Sequence, residues 1–262
     1  MIKKRQSLDI LPGFEDFLRH IGVSSFDSDF DELLKQAQNT MQAQQSKGSY
    51  ESHAPHRWED PIIAKIVQPG ETVIDLGCGD GELLVRLVYE RGARVQGVET
   101  NEDAVVRCIE RGMPVCHEDL YHILSVVPDQ SFNYAVLEQT LQTLQEPLKV
   151  LDGMLRVAKR SFVSFPNFAH WSVRLAFSLG GRMPVTSALP HEWYNTPNIH
   201  LCSITDFLDW VDKANVRICQ AWVLVEGKVE EFGKPNHNIS AEQAMFVIER
   251  KTSASGHASR QP

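Results

Sequence analysis

One glycine-rich stretch constrains the fold of this chain more than any other feature: VIDLGCGDGE, residues 73–82. Apolar residues lead into Asp75, glycines then occupy every second position, and a helix-compatible run follows. This order is typical of a buried parallel strand that ends in a loop whose backbone can approach a ligand closely. Gly77 and Gly79 permit backbone angles that a side chain would forbid, and they leave room for that ligand.

The glycine spacing and the neighbouring carboxylate indicate which class of ligand this loop would bind. A dinucleotide-binding loop follows the pattern G-x-G-x-x-G, whereas this chain has G-x-G-x-G with Glu82 at the sixth position. A carboxylate at Asp75 would repel a pyrophosphate and attract a cation. S-adenosylmethionine (SAM) carries an ammonium and a sulfonium but no phosphate, so it suits the loop. An ordinary strand-to-helix turn without a ligand is the alternative.

Carboxylates also follow the next predicted strands. Glu99 ends a second strand, where it can accept hydrogen bonds from ribose hydroxyls. Asp119 follows a third strand and can accept from an adenine amino group, with Leu120 packing on the ring. Glu138 follows a fourth strand, 132–137, and would face the ligand crevice. The predicted residues for binding SAM or S-adenosylhomocysteine (SAH) are Asp75, Gly77, Cys78, Gly79, Gly81, Glu99, Thr100, Asp119, Leu120 and Glu138.

Strand and helix patterns alternate along the chain after residue 58. Asp60 is predicted to cap the first helix with Pro61 at its first position. Alternation of this kind indicates a parallel sheet with helices on both faces. Ala244, Phe246 and Ile248 predict a partly exposed antiparallel strand near the C-terminus. The predicted fold class is therefore α/β, a doubly wound Rossmann-like sheet that is mostly parallel with an antiparallel C-terminal strand.

Three regions differ in composition. Residues 1–55 are predicted to be an N-terminal arm, partly helical or flexible; residues 56–251 the SAM-binding domain; and residues 252–262 a disordered tail. The domain contains an insert, residues 166–203, that is rich in Trp, His, Pro and Asn. It would be either a lid or recognition surface, or a structural cap whose aromatic side chains pack over the sheet. The residues predicted for a partner or substrate surface are His170, Trp171, Arg182, Trp193, Tyr194 and His200.

Composition limits the partners that are expected. A formal net charge of -8 and a pI near 5.7 argue against nucleic acid, because such binding relies on clustered Lys and Arg. The five cysteines contain no C-x-x-C and are expected to be reduced thiols of a cytoplasmic protein. No apolar run approaches the roughly 18 residues of a membrane span, and no membrane or metal site is predicted. Catalytic residues are not identified, because no G-x-S-x-G or Asn/Asp-Pro-Pro-Tyr/Phe signature occurs.

Five segments together resemble the MetW family of methionine-biosynthesis proteins. These are IDLGCGDGELL (74–84), EQTLQ (138–142), VSFPNFAHW (163–171), GRMPVT (181–186) and ALPHEWYNTPNIHLCSI (188–204). The resemblance implies a class I SAM-methyltransferase-like fold, SAM contacts at Asp75, Gly77, Gly79, Glu99 and Asp119, and a link to homoserine O-acyltransferase (MetX). Residues 1–55 are additional to the usual family length. The resemblance leads us to expect Asp at position 195 and Ser at position 138, whereas this chain has Asn195 and Glu138.

Three functions follow from these observations. The resemblance favours an accessory or regulatory protein that binds SAM and docks on the acyltransferase through the insert. The second is a class I SAM-dependent methyltransferase acting on a small molecule, whose chemistry needs little beyond alignment of an acceptor with the methyl group. The third is a scaffold without ligand affinity, which the complete set Asp75, Glu99 and Asp119 disfavours.

Overall fold

The structure, a computed structural model, describes residues 57–251. The predicted N-terminal arm (1–55) and the predicted tail (252–262) lie outside the described residues. Within the described part, the chain divides into a larger unit, residues 57–169 and 197–251, and a smaller unit, residues 170–196. The smaller unit falls inside the predicted insert.

The larger unit is built on one eight-stranded sheet. Its strands are β1 (Thr72–Leu76), β2 (Arg94–Glu99), β3 (Val115–His117), β4 (Phe132–Leu137), β5 (Ala158–Pro166), β6 (Val216–Val225), β7 (Lys228–Glu231) and β8 (Gln243–Arg250). Their order in space is β3-β2-β1-β4-β5-β8-β6-β7. Strands β1 to β5 pair in parallel, whereas β8 pairs antiparallel with both β5 and β6. The predicted mostly parallel sheet with an antiparallel C-terminal strand is confirmed.

The described residues form eight α-helices and one 3-10 helix, and those of the larger unit cover both faces of its sheet. They are α1 (Asp60–Ile66), α2 (Glu82–Arg91), α3 (Glu102–Glu110), α4 (Leu120–Val126), a 3-10 helix (Leu141–Thr143), α5 (Pro147–Val157), α6 (Trp171–Gly180, in the smaller unit), α7 (Ile204–Lys213) and α8 (His237–Ser240). One core contains residues of α1 and α2 with Val73 and Val136 of the sheet. The other contains residues of α4, α5 and α7 with Ile74 and Ala135. Neighbouring residues of one strand thus serve opposite cores, as the alternation of side chains along a strand requires.

Two local predictions are wrong. Asp60 is the first residue of α1 rather than its cap; Glu59 precedes it in helical geometry without a capping hydrogen bond, and Pro61 is second. Strand β8 is not partly exposed, because each residue from Ala244 to Ile248 is at most 1% exposed. It lies between β5 and β6 with a core on each face, so its five central residues, AMFVI, are all apolar.

The smaller unit consists of α6 followed by a segment without helix or strand, residues 181–196. Gly181 ends α6 with a φ of +57°, which glycine adopts at little cost. Thr186 and Leu189 exchange two backbone hydrogen bonds, of 2.9 and 3.1 Å, and close a tight turn. Across residues 57–251 as a whole, no helix is both long and apolar enough to cross a membrane.

Candidate functional site

The glycine-rich loop joins β1 to α2, as the sequence predicts. Gly77, Gly79 and Gly81 have φ angles of +80°, +56° and +78°, a left-handed region that favours glycine. A Cβ at Gly77 would lie 3.1 Å from Thr140 Oγ1, whereas a Cβ at Gly79 would meet no atom within 4 Å. Gly77 is therefore needed for packing, while Gly79 borders open space through which a ligand can approach the backbone.

Glu99, at the end of β2, holds this loop in place. Its Oε2 accepts a hydrogen bond from the Gly79 N–H at 2.9 Å. Its Oε1 accepts from the backbone N–H groups of Thr100 and Asn101, each at 2.8 Å. Since a carboxylate oxygen has two lone pairs, Oε2 retains one acceptor position for a ligand.

Asp119 and Leu120 occupy the start of α4. Asp119 is the N-cap of this helix, and its Oδ1 accepts from the backbone N–H groups of Tyr121 and His122 at 2.7 and 3.4 Å. This leaves the second oxygen, Oδ2, without a hydrogen bond to the helix. Leu120 is 6% exposed and belongs to the core under α4, so only a small part of its side chain can contact a ligand.

Cys78, by contrast, faces the protein interior. Its side chain is 1% exposed and packs with Leu84 of α2, Cys108 of α3 and Met113. Burial raises the pKa of the Cys78 thiol far above its usual range, so the thiol is neutral. Any contact that Cys78 makes with a ligand would therefore come from its backbone.

Asp75 and Glu138 flank the crevice between β1 and β4. The strand order reverses between these two strands, and ligands bind at such a switch point beyond the carboxyl ends of the strands. Asp75 pairs in register with Val136, and Glu138 lies two residues further along. Both side chains therefore point to the face of the sheet that α1 covers.

Arg57, just before α1, closes this crevice with two ion pairs. Its guanidinium contacts Glu138 Oε2 at 2.5 Å and Asp60 Oδ1 at 3.1 Å. The carboxyl side chains of Glu138 and Asp60 are only 8% and 6% exposed. The sequence predicts Glu138 as a site residue but not Arg57 or Asp60, because no motif links position 57 with position 138, about 80 residues away.

Burial dominates the electrostatics of these carboxylates. Asp75 is 1% exposed, and burial raises its pKa to about 7, although the Arg57 charge opposes this. Burial likewise raises the pKa of Asp60 and raises that of Glu138 well above its usual value. A low-polarity environment disfavours the charged form, so all three carboxyl groups release their protons at a higher pH than free carboxyl groups do.

The segment Glu138–Gln142 forms a hydrogen-bonded tip beyond β4. Gln139 has a φ of +48°, a conformation uncommon for residues other than glycine. Its backbone N–H donates to Ser164 O at 3.1 Å, and its side-chain amide donates to Glu59 Oε1 at 2.7 Å. The Gln142 amide donates to Gln139 O at 2.7 Å. These contacts fix the position of Glu138 beside the crevice.

The residues predicted for a partner surface are divided between the two units. Arg182, Trp193 and Tyr194 are exposed residues of the smaller unit, and the two aromatic rings pack edge to face, with centroids 5.7 Å apart. Trp171 is half-buried. His200 belongs to the larger unit, where its ring lies 3.3 Å from Gln145 O.

His170, also predicted for that surface, is held by its own helix. Its Nδ1 lies 2.7 Å from Ser172 Oγ at the start of α6. Burial lowers the pKa of its imidazole to about 4, so the ring is neutral at physiological pH. Among residues 57–251, no three His, Cys, Asp or Glu side chains are grouped to hold a metal ion.

Asn167 anchors both ends of the insert, a role that the sequence did not reveal. Its amide donates to Asn238 O and Ala241 O at 3.0 and 2.8 Å. Its Oδ1 accepts from the backbone N–H groups of Ala169 and Ile204 at 3.1 and 3.3 Å. Ala169 and Ile204 lie near the start and the end of residues 166–203, so one buried side chain joins them.

A family profile and a characterised relative both match this chain to MetW proteins. The sequence profile of a family described as "Methionine biosynthesis protein MetW" matches residues 57–248. A "Bifunctional methionine biosynthesis protein MetXA/MetW" of Rhodopirellula baltica is 32% identical over 205 residues, covering 74% of this chain and 33% of that protein. The chain therefore spans about a third of the length of this relative.

Solved structures share the fold. A SAM-dependent methyltransferase of Thermotoga maritima matches with a TM-score of 0.53 and 16% identity, covering 74% of this chain and 87% of that one. A SAM-dependent methyltransferase of Archaeoglobus fulgidus matches with a TM-score of 0.52 and 16% identity, covering 72% and 90%. The fold is therefore that of class I SAM methyltransferases.

Proposed function

The chain belongs to the MetW family of methionine biosynthesis proteins, and from this premise we propose that it binds SAM, or its product SAH, and acts as an accessory or regulatory partner of a homoserine O-acyltransferase of the MetX type. One observation carries the partnership: the Rhodopirellula baltica relative is named for both functions, MetXA and MetW, in a single protein. Linking two modules in one chain raises their effective concentration towards each other, so a fusion of this kind favours a functional contact between them.

The described residues fit SAM. Asp75 Oδ2 is buried without a hydrogen-bond partner among residues 57–251, and a cationic ligand would supply one. Glu99 Oε2 and Asp119 Oδ2 can each accept from hydroxyl or amino groups. Gly79 borders open space for the close approach of the ligand. Bound SAM would supply an electrophilic methyl group, while this chain's residues would bind and orient it.

Exposed aromatic side chains support a docking role for the smaller unit. Trp193 and Tyr194 are 72% and 70% exposed, and aromatic residues of this kind are enriched where proteins bind one another. We also place the protein in the cytoplasm, since all five cysteines are unpaired and free thiols persist in reducing compartments.

Calorimetric titration of SAM, with and without the homoserine O-acyltransferase, tests this proposal. SAM should bind, and its affinity should change when the acyltransferase is present, because coupling between two ligands is reciprocal. Trp193→Ala should weaken association with the acyltransferase by tenfold or more, a loss of about 1.4 kcal/mol or more that is typical of an interface aromatic.

Tyr89→Ala, on the exposed surface of α2, provides the matched control, because Tyr89 is 76% exposed. This variant should leave association unchanged. A SAM affinity that is the same with and without the acyltransferase would refute the regulatory role. It would favour the alternative, methyl transfer onto a small molecule. Absence of SAM binding would refute the site itself.

A further inference from the structure

Helix α6 of the smaller unit has an apolar sequence but no buried side chain in the part that the structure describes. Six of its ten residues, WSVRLAFSLG, are Trp, Val, Leu, Ala or Phe. No residue from Trp171 to Ser178 is buried, and Phe177 is 61% exposed. A helix that is apolar on most of its surface is normally buried, so another segment is needed to cover α6.

The apolar clusters of the described residues do not include this helix. Among residues 57–251, neither core of the larger unit nor the small cluster around Cys78 contains a side chain of α6. Exposed apolar surfaces of this kind mark places where another polypeptide binds. The side chains that form the α6 surface are those of Trp171, Val173, Leu175, Ala176 and Phe177.

The sequence that precedes Arg57 contains an apolar pattern that could cover such a surface. Phe14, Phe17, Leu18 and Ile21 follow the spacing i, i+3, i+4, i+7, which aligns apolar side chains on one face of a helix. Most of the stability of such a helix comes from packing its apolar stripe against another surface. This stripe therefore also needs a partner.

The charges of the two segments are complementary. Residues 9–35 carry seven carboxylates and two cations, a formal charge of -5. Residues 166–191, which include α6, carry two cations, Arg174 and Arg182, and no carboxylate. Opposite charges favour contact between these segments. In a symmetric dimer formed through α6, by contrast, two identical positive surfaces would face each other.

Both segments are connected to the larger unit near one place. Trp58 Nε1 donates to Gln243 Oε1 at 2.6 Å, and Gln243 pairs in register with Pro166, shortly before α6 begins. The residues between Ile21 and Arg57 would span about 30 to 35 Å as a flexible chain, whereas α6 is only about 15 Å long. The link is long enough to reach α6, and it raises the effective concentration of the segment there.

We propose that residues 9–35 dock on the α6 surface of the same chain and cover it. Their apolar stripe packs against the helix, and the surrounding carboxylates meet the positive charge of residues 166–191. This inference goes beyond the proposed function and does not depend on it. The family match begins at residue 57, so the cover comes from outside the matched region while the surface lies within it.

Hydrogen exchange of the full chain, followed by mass spectrometry, tests this contact. Phe17→Asp places a charge in the apolar stripe and should accelerate exchange of the α6 amides by about tenfold or more, as expected when burial of one Phe side chain is lost. Gln44→Asp adds the same charge in the Gln-rich stretch 36–46 and should leave this exchange unchanged. The amides of β1 and β4 should be protected equally in all three proteins, which verifies that the larger unit stays folded.

A photo-reactive side chain at position 177 identifies the segment that covers α6. p-Benzoylphenylalanine is introduced there in the full chain, because Phe177 is already aromatic and exposed. After irradiation, mass spectrometry should find a cross-link to residues 9–35. A mixture of isotopically light and heavy protein distinguishes a cross-link within one chain from a cross-link between two chains.

Three results would overturn the proposal. A cross-link between light and heavy chains would make a second copy the occupant of the α6 surface. A cross-link that forms only after addition of the acyltransferase, and joins α6 to it, would make that enzyme the occupant. Equal exchange of the α6 amides in wild type and Phe17→Asp would show that the stripe does not cover the helix. None of these results bears on SAM binding, which calorimetry tests separately.

Discussion

Replacing Asn167 with alanine should destabilise the protein by about 3 to 4 kcal/mol. The side chain is 1% exposed and donates two hydrogen bonds, to Asn238 and Ala241, while accepting two more, from Ala169 and Ile204. Each such bond contributes about 1 kcal/mol net, and a buried group left unpaired costs about 1 to 3 kcal/mol. Four bonds of this kind give about 4 kcal/mol. The bond from the Ile204 N–H is the longest, at 3.3 Å, and a negligible contribution from it gives the lower value of about 3 kcal/mol.

Urea denaturation followed by circular dichroism would measure this loss. Asn195→Ala is the matched control, because Asn195 is an exposed asparagine of the smaller unit; its substitution should change the free energy of unfolding by less than about 0.5 kcal/mol. A loss below about 1 kcal/mol for Asn167→Ala would contradict the anchoring role and would show that water satisfies the four backbone groups equally well.

Two further predictions concern the crevice and its loop. Because burial raises the pKa of Asp75 to about 7, above its unfolded value of about 3.9, the folded protein binds the extra proton and this residue's contribution to stability falls as the pH rises from about 4 to 7. Asp75→Asn should remove that part of the pH dependence, which denaturant titrations between pH 5 and 8 would measure. If the free energy of unfolding changes with pH in the same way for wild type and variant, the assignment to Asp75 is wrong. Gly77→Ala should destabilise more than Gly70→Ala, since both have a φ near +80° but only Gly77 would bring a Cβ to 3.1 Å from Thr140 Oγ1; equal melting temperatures for the two variants would exclude the steric argument.

The arrangement of the sheet was largely predictable because its signals are local. The glycine loop and the apolar runs of β1 and β4 each depend on a few neighbouring residues. The prediction of a partly exposed β8 is wrong. Met245 and Val247 are as apolar as Ala244, Phe246 and Ile248, and this composition is explained by the pairing of β8 with strands on both sides. Burial on both faces is a property of the assembled sheet.

The candidate site was only half predictable for the same reason. Gly77, Glu99 and Asp119 lie at or just after the carboxyl ends of β1, β2 and β3, and Glu99 contacts the glycine loop through the Gly79 N–H. Arg57 and Asn167 are brought to their partners by contacts across about 35 to 80 positions of sequence, as in the pairs Arg57–Glu138 and Asn167–Ile204. No spacing rule encodes a contact of this kind, because it depends on which elements pack together.

The central position of β8 has a consequence for the order of folding. This strand is the last of the eight in sequence, yet it separates β5 from β6. During synthesis, β1 to β5 can pair as soon as they are available, but the edge of β5 keeps its backbone N–H and C=O groups open until residues 243–250 emerge. An open hydrophobic edge is where nascent chains associate wrongly. The risk of misassembly is therefore greatest between synthesis of residue 166 and residue 250, and a chaperone that shields β5 would act in that interval.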